Sequence, residues 1–180
     1  MKKILKLTFI LCLVCAITAG ILGVVNELTY ERIDEQNRIK TENAYRQVLK
    51  AEGYEDIGYV KGEGDIVDKI SRASGGEGHV VELTFSGAQG SITLAVGVDS
   101  QLLCSGISVI SHAETAGLGA VAASTSEKGV QWREQFKGQG ADVAITKAGG
   151  EIEAISGATI TSRAIAEAAA VAINAVANLG

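Results

Sequence analysis

Residues 153–162 combine small and hydroxyl-bearing side chains in a pattern that suits phosphate binding. They read Glu-Ala-Ile-Ser-Gly-Ala-Thr-Ile-Thr-Ser, a small-residue turn before a helix that is predicted to begin near Ser162. The N–H groups and the dipole at a helix start favour an anion, and the small side chains of residues 156–159 let a bulky anion approach. Thr161 and Ser162 are natural N-cap residues. The segment fits either a phosphate-binding turn, with Arg163 adding a charge-assisted hydrogen bond, or an ordinary helix start with good caps.

A second segment, residues 111–119, reads Ser-His-Ala-Glu-Thr-Ala-Gly-Leu-Gly. Gly117 and Gly119, two residues apart, predict a loop whose backbone amides can face a ligand, because glycine has no side chain to block its approach. His112 either belongs to this loop or lies at the end of a strand.

Both segments resemble motifs of the FMN-binding domain family. Ser156-Gly-Ala-Thr159 with the following Ile-Thr-Ser is similar to the family's flavinylation motif, and residues 112–119 resemble its His-x-Glu-Thr-Pro-Gly-Leu-Gly segment. The family includes the G subunit of the Rnf electron-transport complex and the C subunit of the sodium-translocating NADH:quinone oxidoreductase. Two separated motifs in the expected order make the resemblance specific, and it covers about residues 55–179.

The resemblance implies FMN bound covalently to Thr159 through a phosphodiester, attached by a separate flavin transferase that uses FAD as the donor. Loop residues 114–119 would line the isoalloxazine. Lys147 lies where relatives often carry a lysine near the flavin, although a solvated lysine at a strand end fits as well. The implied cofactor-binding residues are Thr159, Ser156, Gly157, Ala158, Thr161, Glu114, Thr115, Gly117, Leu118, Gly119 and Lys147.

The chain departs from the family pattern at two positions. Glu153 stands where the family has Asp, so the carboxylate is kept but reaches one methylene further. Ala116 replaces the Pro of the loop, which makes the loop more mobile when it is empty.

The elements that must position these motifs are predicted to form an α+β fold with an antiparallel sheet and flanking helices. Residues 79–85 and 92–98 are β-branched and partly alternating, with Gly87-Ala-Gln-Gly90 as a hairpin turn between them. A further strand is expected over 102–110 and a short one over 143–145. Helices are expected over 127–137 and 162–179, covering one face of the sheet.

The N-terminal part predicts a membrane anchor. Residues 1–6 carry three lysines, 7–25 are free of charge and span roughly 28 Å as a helix, and 26–53 read as a charged helical stalk that ends at Gly53. Basic residues stay cytoplasmic, so the domain 54–180 should be extracytoplasmic, or periplasmic, on a single-pass protein of the cell membrane. A cleaved signal peptide is the alternative, but the apolar run is long and lacks a small-x-small cleavage site. A lipoprotein fits less well, because Cys12 and Cys15 lack a small residue before them.

Composition argues against a nucleic-acid-binding protein, and residue spacing argues against a metal site. The net charge is −5 and aromatic residues make up 4%, whereas nucleic-acid binding favours a basic, aromatic face. His79 and His112 have no metal-ligand spacing, so no metal site is expected. Cys12 and Cys15 share a helical face, either as a metal or redox pair beside another subunit or as small residues in a helix–helix contact. Cys104 has no disulfide partner outside the membrane.

The resemblance implies an electron-carrier subunit of a membrane ion-translocating ferredoxin:NAD oxidoreductase, with no substrate turnover of its own. Its partners would be the other membrane and peripheral subunits, the flavin transferase and membrane lipid, with no nucleic acid. Two alternatives are a stand-alone anchored flavoprotein reductase and a non-enzymatic module that binds a phosphate or a peptide.

Overall fold

The computed structural model describes residues 2–75 and 78–179 and separates the chain into two compact units, Met1–Lys40 and Thr41–Gly180. The first unit is a single helix, the beginning of α1 (Lys2–Val48). Its large apolar side chains, such as Phe9 and Leu22, are exposed. This helix is long and apolar enough to cross a membrane, and it runs without a break through the predicted anchor and the predicted stalk as far as Val48.

The end of α1 lies in the second unit, at Val48 and not at the predicted Gly53. The Ser105 hydroxyl donates a hydrogen bond to the Val48 carbonyl over 2.6 Å, and the Tyr54 hydroxyl donates to the carbonyl of Leu49. Side chains from the sheet thus satisfy carbonyl groups that the helix leaves free at its end. The helix therefore ends where these side-chain donors lie, and no glycine is required to end it.

The second unit is built on a five-stranded antiparallel meander, which confirms the predicted fold class. Neighbouring strands pair antiparallel in chain order. The long hairpin runs in register from Gly78 opposite Asp99 to Ser86 opposite Ser91, and the Gly87 N–H closes its turn on the Gly90 carbonyl over 2.7 Å. The strands are β1 (Tyr54–Asp56), β2 (Val67–Ala73), β3 (Gly78–Ser86), β4 (Ser91–Asp99) and β5 (Cys104–His112).

Two further helices follow the sheet, α2 (Glu127–Glu134) and α3 (Thr159–Ala177), with 3₁₀ turns at Gly119–Ala123 and Thr146–Ala148. The strand predicted over 143–145 is wrong: only Ile145 makes a bridge, to Ile152, outside the five-stranded sheet. The chain bends at Gly149, where φ is +87°. The segment between Ile145 and this bend is too short to pair over more residues.

Helical segments cover both faces of the sheet, where one covered face was expected. Adjacent residues on a strand point to opposite faces, and β3 buries both Val80 and Val81. Val80 packs with Tyr45 and Val48 at the end of α1. Val81 belongs to the larger cluster on the α3 side, where small alanines let the helix lie close to the sheet. That cluster includes Ile70, Leu83, Leu94, Val96, Ile165, Ala169, Ala172 and Ile173.

Candidate functional site

The two motifs meet at one cleft, which has a volume of about 410 Å³. Three segments form its walls: the β3–β4 turn, the loop after β5 and the start of α3. The cleft (hereafter the Thr159 cleft) is lined by Ala88, Gln89, Glu114, Thr115, Leu118, Gly119, Gly157, Ala158, Thr159, Ile160 and Thr161. Residues that are far apart in the sequence therefore share one site.

Thr159 is the first residue of α3, and its side chain is half-buried. The preceding turn needs Gly157, whose φ of +77° lies in the left-handed region that side chains disfavour. A Cβ at Gly157 would also lie 3.0 Å from Leu118 Cδ2, so the turn packs closely on the loop. The first N–H groups of a helix have no partner inside the helix, and those of α3 begin at Thr159, which lines the cleft.

The predicted N-cap role of Thr161 and Ser162 is wrong, because the helix begins three residues earlier than expected. Ala158 is the N-cap, and no side chain makes a capping hydrogen bond there. Ser162 instead accepts the Ile155 N–H over 3.0 Å and donates to the Ala158 carbonyl over 2.9 Å. Its hydroxyl thus closes the turn that presents residues 156–158.

Glu114 is 9% exposed and joins the three walls of the Thr159 cleft. Its Oε1 accepts the N–H groups of Ala88 and Gln89 over 2.8 and 3.1 Å. Its Oε2 accepts the Thr161 hydroxyl over 2.7 Å. Burial raises the pKa of the Glu114 carboxyl, but these donated hydrogen bonds outweigh it and leave the pKa below its ordinary value. The carboxylate is therefore ionised at neutral pH.

The loop around Ala116 is a tight turn. The N–H of Leu118 donates to the Thr115 carbonyl over 3.2 Å, and Gly117 has φ +79°. This combination fits a type II turn, which requires positive φ at its third residue and favours Pro at its second. Ala116 occupies that second position, so the structure explains both the Pro of the family pattern and why Ala still permits the turn.

His112 is the last residue of β5 and is exposed. Its Nδ1 accepts the Glu114 N–H over 3.2 Å. The residue therefore ends the strand and also fixes the start of the loop.

A second cavity, of about 570 Å³, is lined by other residues of the same two motifs. Ser156 and Gly117 line this cavity together with Trp132, whereas they are not among the residues that line the Thr159 cleft. Trp132 donates its ring N–H to the Glu153 carbonyl over 2.8 Å, and the Glu153 N–H donates to Gln135 Oε1 over 2.8 Å. Helix α2 thus holds the backbone before the turn, and the Glu153 side chain stays exposed.

Lys147 and Arg163 are both exposed and line neither of these two cavities. Lys147 lies in the 3₁₀ turn Thr146–Ala148. The structure brings neither cation among the residues of the Thr159 cleft.

Cys104 is not among the residues that line the Thr159 cleft. Cys12 and Cys15 are exposed on the first unit's helix, and Cys104 is buried in the sheet. Burial raises the pKa of the Cys104 thiol to about 11, so it is protonated at neutral pH. Within residues 2–75 and 78–179, no group of three or more His, Cys, Asp or Glu side chains is placed to hold a metal ion.

The residues of the Thr159 cleft fit FMN. The start of α3 offers N–H groups for a phosphate beside a hydroxyl that can be esterified. Leu118 and Ile160 line the cleft and are 43% and 68% exposed, which gives apolar surface for a flat ring system. Adding a Cβ at Gly119 would bring it 2.7 Å from Thr161 Oγ1, so a small residue is required in this wall.

Comparison with known proteins identifies the family. Residues 1–48 match the RnfG N-terminal region and residues 87–174 match the FMN-binding domain. The G subunit of an ion-translocating oxidoreductase complex from Methanosarcina acetivorans is 30% identical over 93% of this chain and 91% of its own length. The G subunit of the Na⁺-translocating ferredoxin:NAD⁺ oxidoreductase complex of Acetobacterium woodii is 31% identical over 99% and 94%. This chain belongs to the G-subunit family of ion-translocating oxidoreductase complexes.

The matched regions agree with the elements of this structure. The N-terminal match ends at residue 48, where α1 ends. The FMN-binding match includes every residue that lines the Thr159 cleft. The corresponding G subunit from Escherichia coli is also 32% identical over 93% of this chain. The resemblance inferred from two short motifs is therefore confirmed.

Sequence reasoning missed one wall of the Thr159 cleft. It predicted Gly87-Ala-Gln-Gly90 as a hairpin turn but gave Ala88 and Gln89 no role at the site. The structure brings the two turns together: the Ala113 N–H donates to the Ser91 carbonyl, so the loop after β5 lies beside the hairpin. Ile160 was also missed, and its exposure could not be read from an apolar helical pattern.

Proposed function

We propose that this chain is the electron-carrier subunit of a membrane ion-translocating ferredoxin:NAD oxidoreductase and carries FMN covalently on Thr159. The observation that supports this most is the meeting of both motifs at the Thr159 cleft, with the Thr159 hydroxyl at the start of α3. The names of the relatives support the complex as the setting. The chain alone would turn over no substrate.

Attachment requires an accessible hydroxyl beside a phosphate site. With FAD as donor and a separate flavin transferase, Thr159 Oγ forms a bond to the flavin-side phosphorus, the bond from that phosphorus to the AMP oxygen breaks, and AMP and the hydroxyl proton leave. The half-buried Thr159 side chain is open to such a donor. The N–H groups at the start of α3 then stabilise the remaining phosphate charge.

The walls of the Thr159 cleft orient the bound group. FMN supplies one- and two-electron chemistry when it is bound. Leu118 and Ile160 offer apolar surface to a ring, and the turn at Gly157 packs closely on Leu118. The Glu114 carboxylate adds one negative charge, and its oxygens already accept hydrogen bonds from protein groups.

We further propose that the first unit anchors the subunit with its N-terminus in the cytoplasm and the FMN domain outside the cell membrane. Three lysines precede the apolar run and acidic residues follow it, which is the asymmetry of a cytoplasmic N-terminus. Covalent attachment would keep the cofactor from diffusing away on that side. The partners would be the other subunits of the complex, membrane lipid and the flavin transferase.

The test is co-expression of the full chain with a flavin transferase, followed by intact mass and peptide mapping. We expect a mass gain of one FMN less water, located on the peptide that contains Thr159. Thr159→Ser keeps a hydroxyl and should retain some modification, whereas Thr159→Ala should have none. Covalent flavin fluorescence in Thr159→Ala after denaturing electrophoresis would show that the site is assigned wrongly.

A further inference from the structure

We infer that Glu114 is a positioning residue: through Thr161, its buried carboxylate sets the first turn of α3 in the geometry in which the Thr159 hydroxyl accepts FMN. This inference rests on the proposed function. It gives Glu114 a role different from flavin contact, which is what the family resemblance implied for it.

The hydrogen bonds of Glu114 all lead to protein groups. Oε1 accepts the N–H groups of Ala88 and Gln89, and Oε2 accepts the Thr161 hydroxyl. The carboxylate thus connects the β3–β4 turn to α3.

Two glycines enclose the same carboxylate. A Cβ at Gly87 would overlap Oε1, and a Cβ at Gly119 would overlap Oε2. Both walls therefore approach the carboxylate so closely that neither position has room for a Cβ atom. Such enclosure restricts the rotamers of the side chain and makes its contact with Thr161 directional.

The start of α3 lacks the usual local stabilisation. Its N-cap is Ala158, which offers no side-chain acceptor to the first turn, and alanine is among the poor N-cap residues. Helix ends fray when they are not held. The hydrogen bond from Thr161 to Glu114 holds this turn from outside the helix, two residues after Thr159.

Charge makes this external bond stronger than a neutral one. Hydrogen bonds to a carboxylate are roughly twice as strong as those between neutral groups, and a negative charge near a helix N-terminus is favoured by the dipole. Glu114 therefore stabilises the start of α3 through the Thr161 hydroxyl and its negative charge, although it lies forty-seven residues earlier in the chain.

The experiment measures the rate of flavin transfer onto full-length protein made without a transferase, using purified transferase and FAD. The variant Thr161→Val keeps the volume of the side chain and removes the hydroxyl. We expect its kcat for transfer to fall about tenfold, the effect of losing one hydrogen bond to a charged group, with little change in KM for the acceptor protein. Thr161→Ser, which restores the hydroxyl, should recover most of the rate.

A second measurement tests the same inference without flavin. Amide hydrogen exchange at Ser162, whose N–H donates to the Ala158 carbonyl over 2.9 Å, should become faster in Thr161→Val and in the near-isosteric Glu114→Gln, while exchange in the middle of α3 stays unchanged. The two substitutions should also be non-additive in transfer rate, because they disrupt one hydrogen bond.

The outcomes separate this inference from the proposed function. If the wild-type chain takes no flavin on Thr159, the proposed function is wrong. If the wild type is modified and Thr161→Val is modified at the same rate, or if Thr161→Ser is as slow as Thr161→Val, the positioning role of Glu114 is overturned. Additive effects of the two substitutions would overturn it as well.

Discussion

Gly119→Ala is the substitution that most directly tests the packing of the Thr159 cleft. The new Cβ would overlap Glu114 Oε2 and lie 2.7 Å from Thr161 Oγ1 and 3.0 Å from Glu114 Cβ. None of these atoms is at the free end of a flexible chain, because Glu114 is held by three donors. The methyl group can enter only if the hydrogen bond between Glu114 and Thr161 breaks or the loop moves.

The expected cost has two parts. Overpacking a close contact costs about 1–3 kcal/mol, and loss of a hydrogen bond to a buried charge costs about 1.5–3 kcal/mol. Breaking the hydrogen bond or moving the loop relieves part of the overpacking, so the two costs do not add in full. We expect a total of about 3 kcal/mol. For a unit of this size such a loss lowers Tm by roughly 6–12 °C.

The assay is thermal unfolding of the full-length protein in detergent, followed by the fluorescence of its single tryptophan, Trp132, which is buried in the second unit. Gly62→Ala is the matched control, since a Cβ there meets nothing within 4 Å and φ is not positive. A Gly119→Ala protein that unfolds within about 2 °C of the wild type would refute this packing, given the slope cited above. An equal loss in Gly62→Ala would show that the change does not come from the cleft.

Three more predictions follow from local chemistry. The pKa of Glu114 is lowered in the folded chain, so its ionised form contributes stability that is complete above the unfolded pKa of about 4.3 and lost as pH falls through the folded value. The Tm difference between wild type and Glu114→Gln should therefore shrink as the pH falls below about 5, and a constant difference would contradict this. Ala116→Pro should stabilise the second unit by about 0.4–1 kcal/mol, because its position in the turn favours Pro; a lower Tm would show that the turn is not type II. Cys104, buried and with a raised pKa of about 11, should resist alkylation at pH 8 in the folded protein and react on denaturation, as peptide mass spectrometry would show.

Much of this protein follows from local sequence patterns. The alternation in β3 and β4, the Gly87–Gly90 turn and the long apolar run all predicted elements that the structure contains. These features depend on residues close together in the chain, where strand and helix periodicities and turn residues act directly. The pair of motifs at 112–119 and 156–162 also predicted the family, which the comparisons confirm.

Local patterns failed where distant segments decide the outcome. Helix α3 begins at Thr159 although Thr161 and Ser162 are better caps, because Glu114 and the Ile155 N–H engage those two hydroxyls. The end of α1 packs on the second face of the sheet because the strand glycine Gly97 lets the Val48 carbonyl approach, an arrangement that a charged helical pattern does not reveal.

The sequence by itself determined the apolar helix, strands β3 to β5, helices α2 and α3, and the two motifs that supply most residues of the Thr159 cleft. Only the tertiary structure decided that the β3–β4 turn is its third wall, that Ser156 and Gly117 face a second cavity, and that Lys147 lies elsewhere. The physical reason is that periodicity and turn chemistry act over a few residues, whereas a cleft is defined by contacts between residues brought together when the sheet and α3 bury their apolar faces.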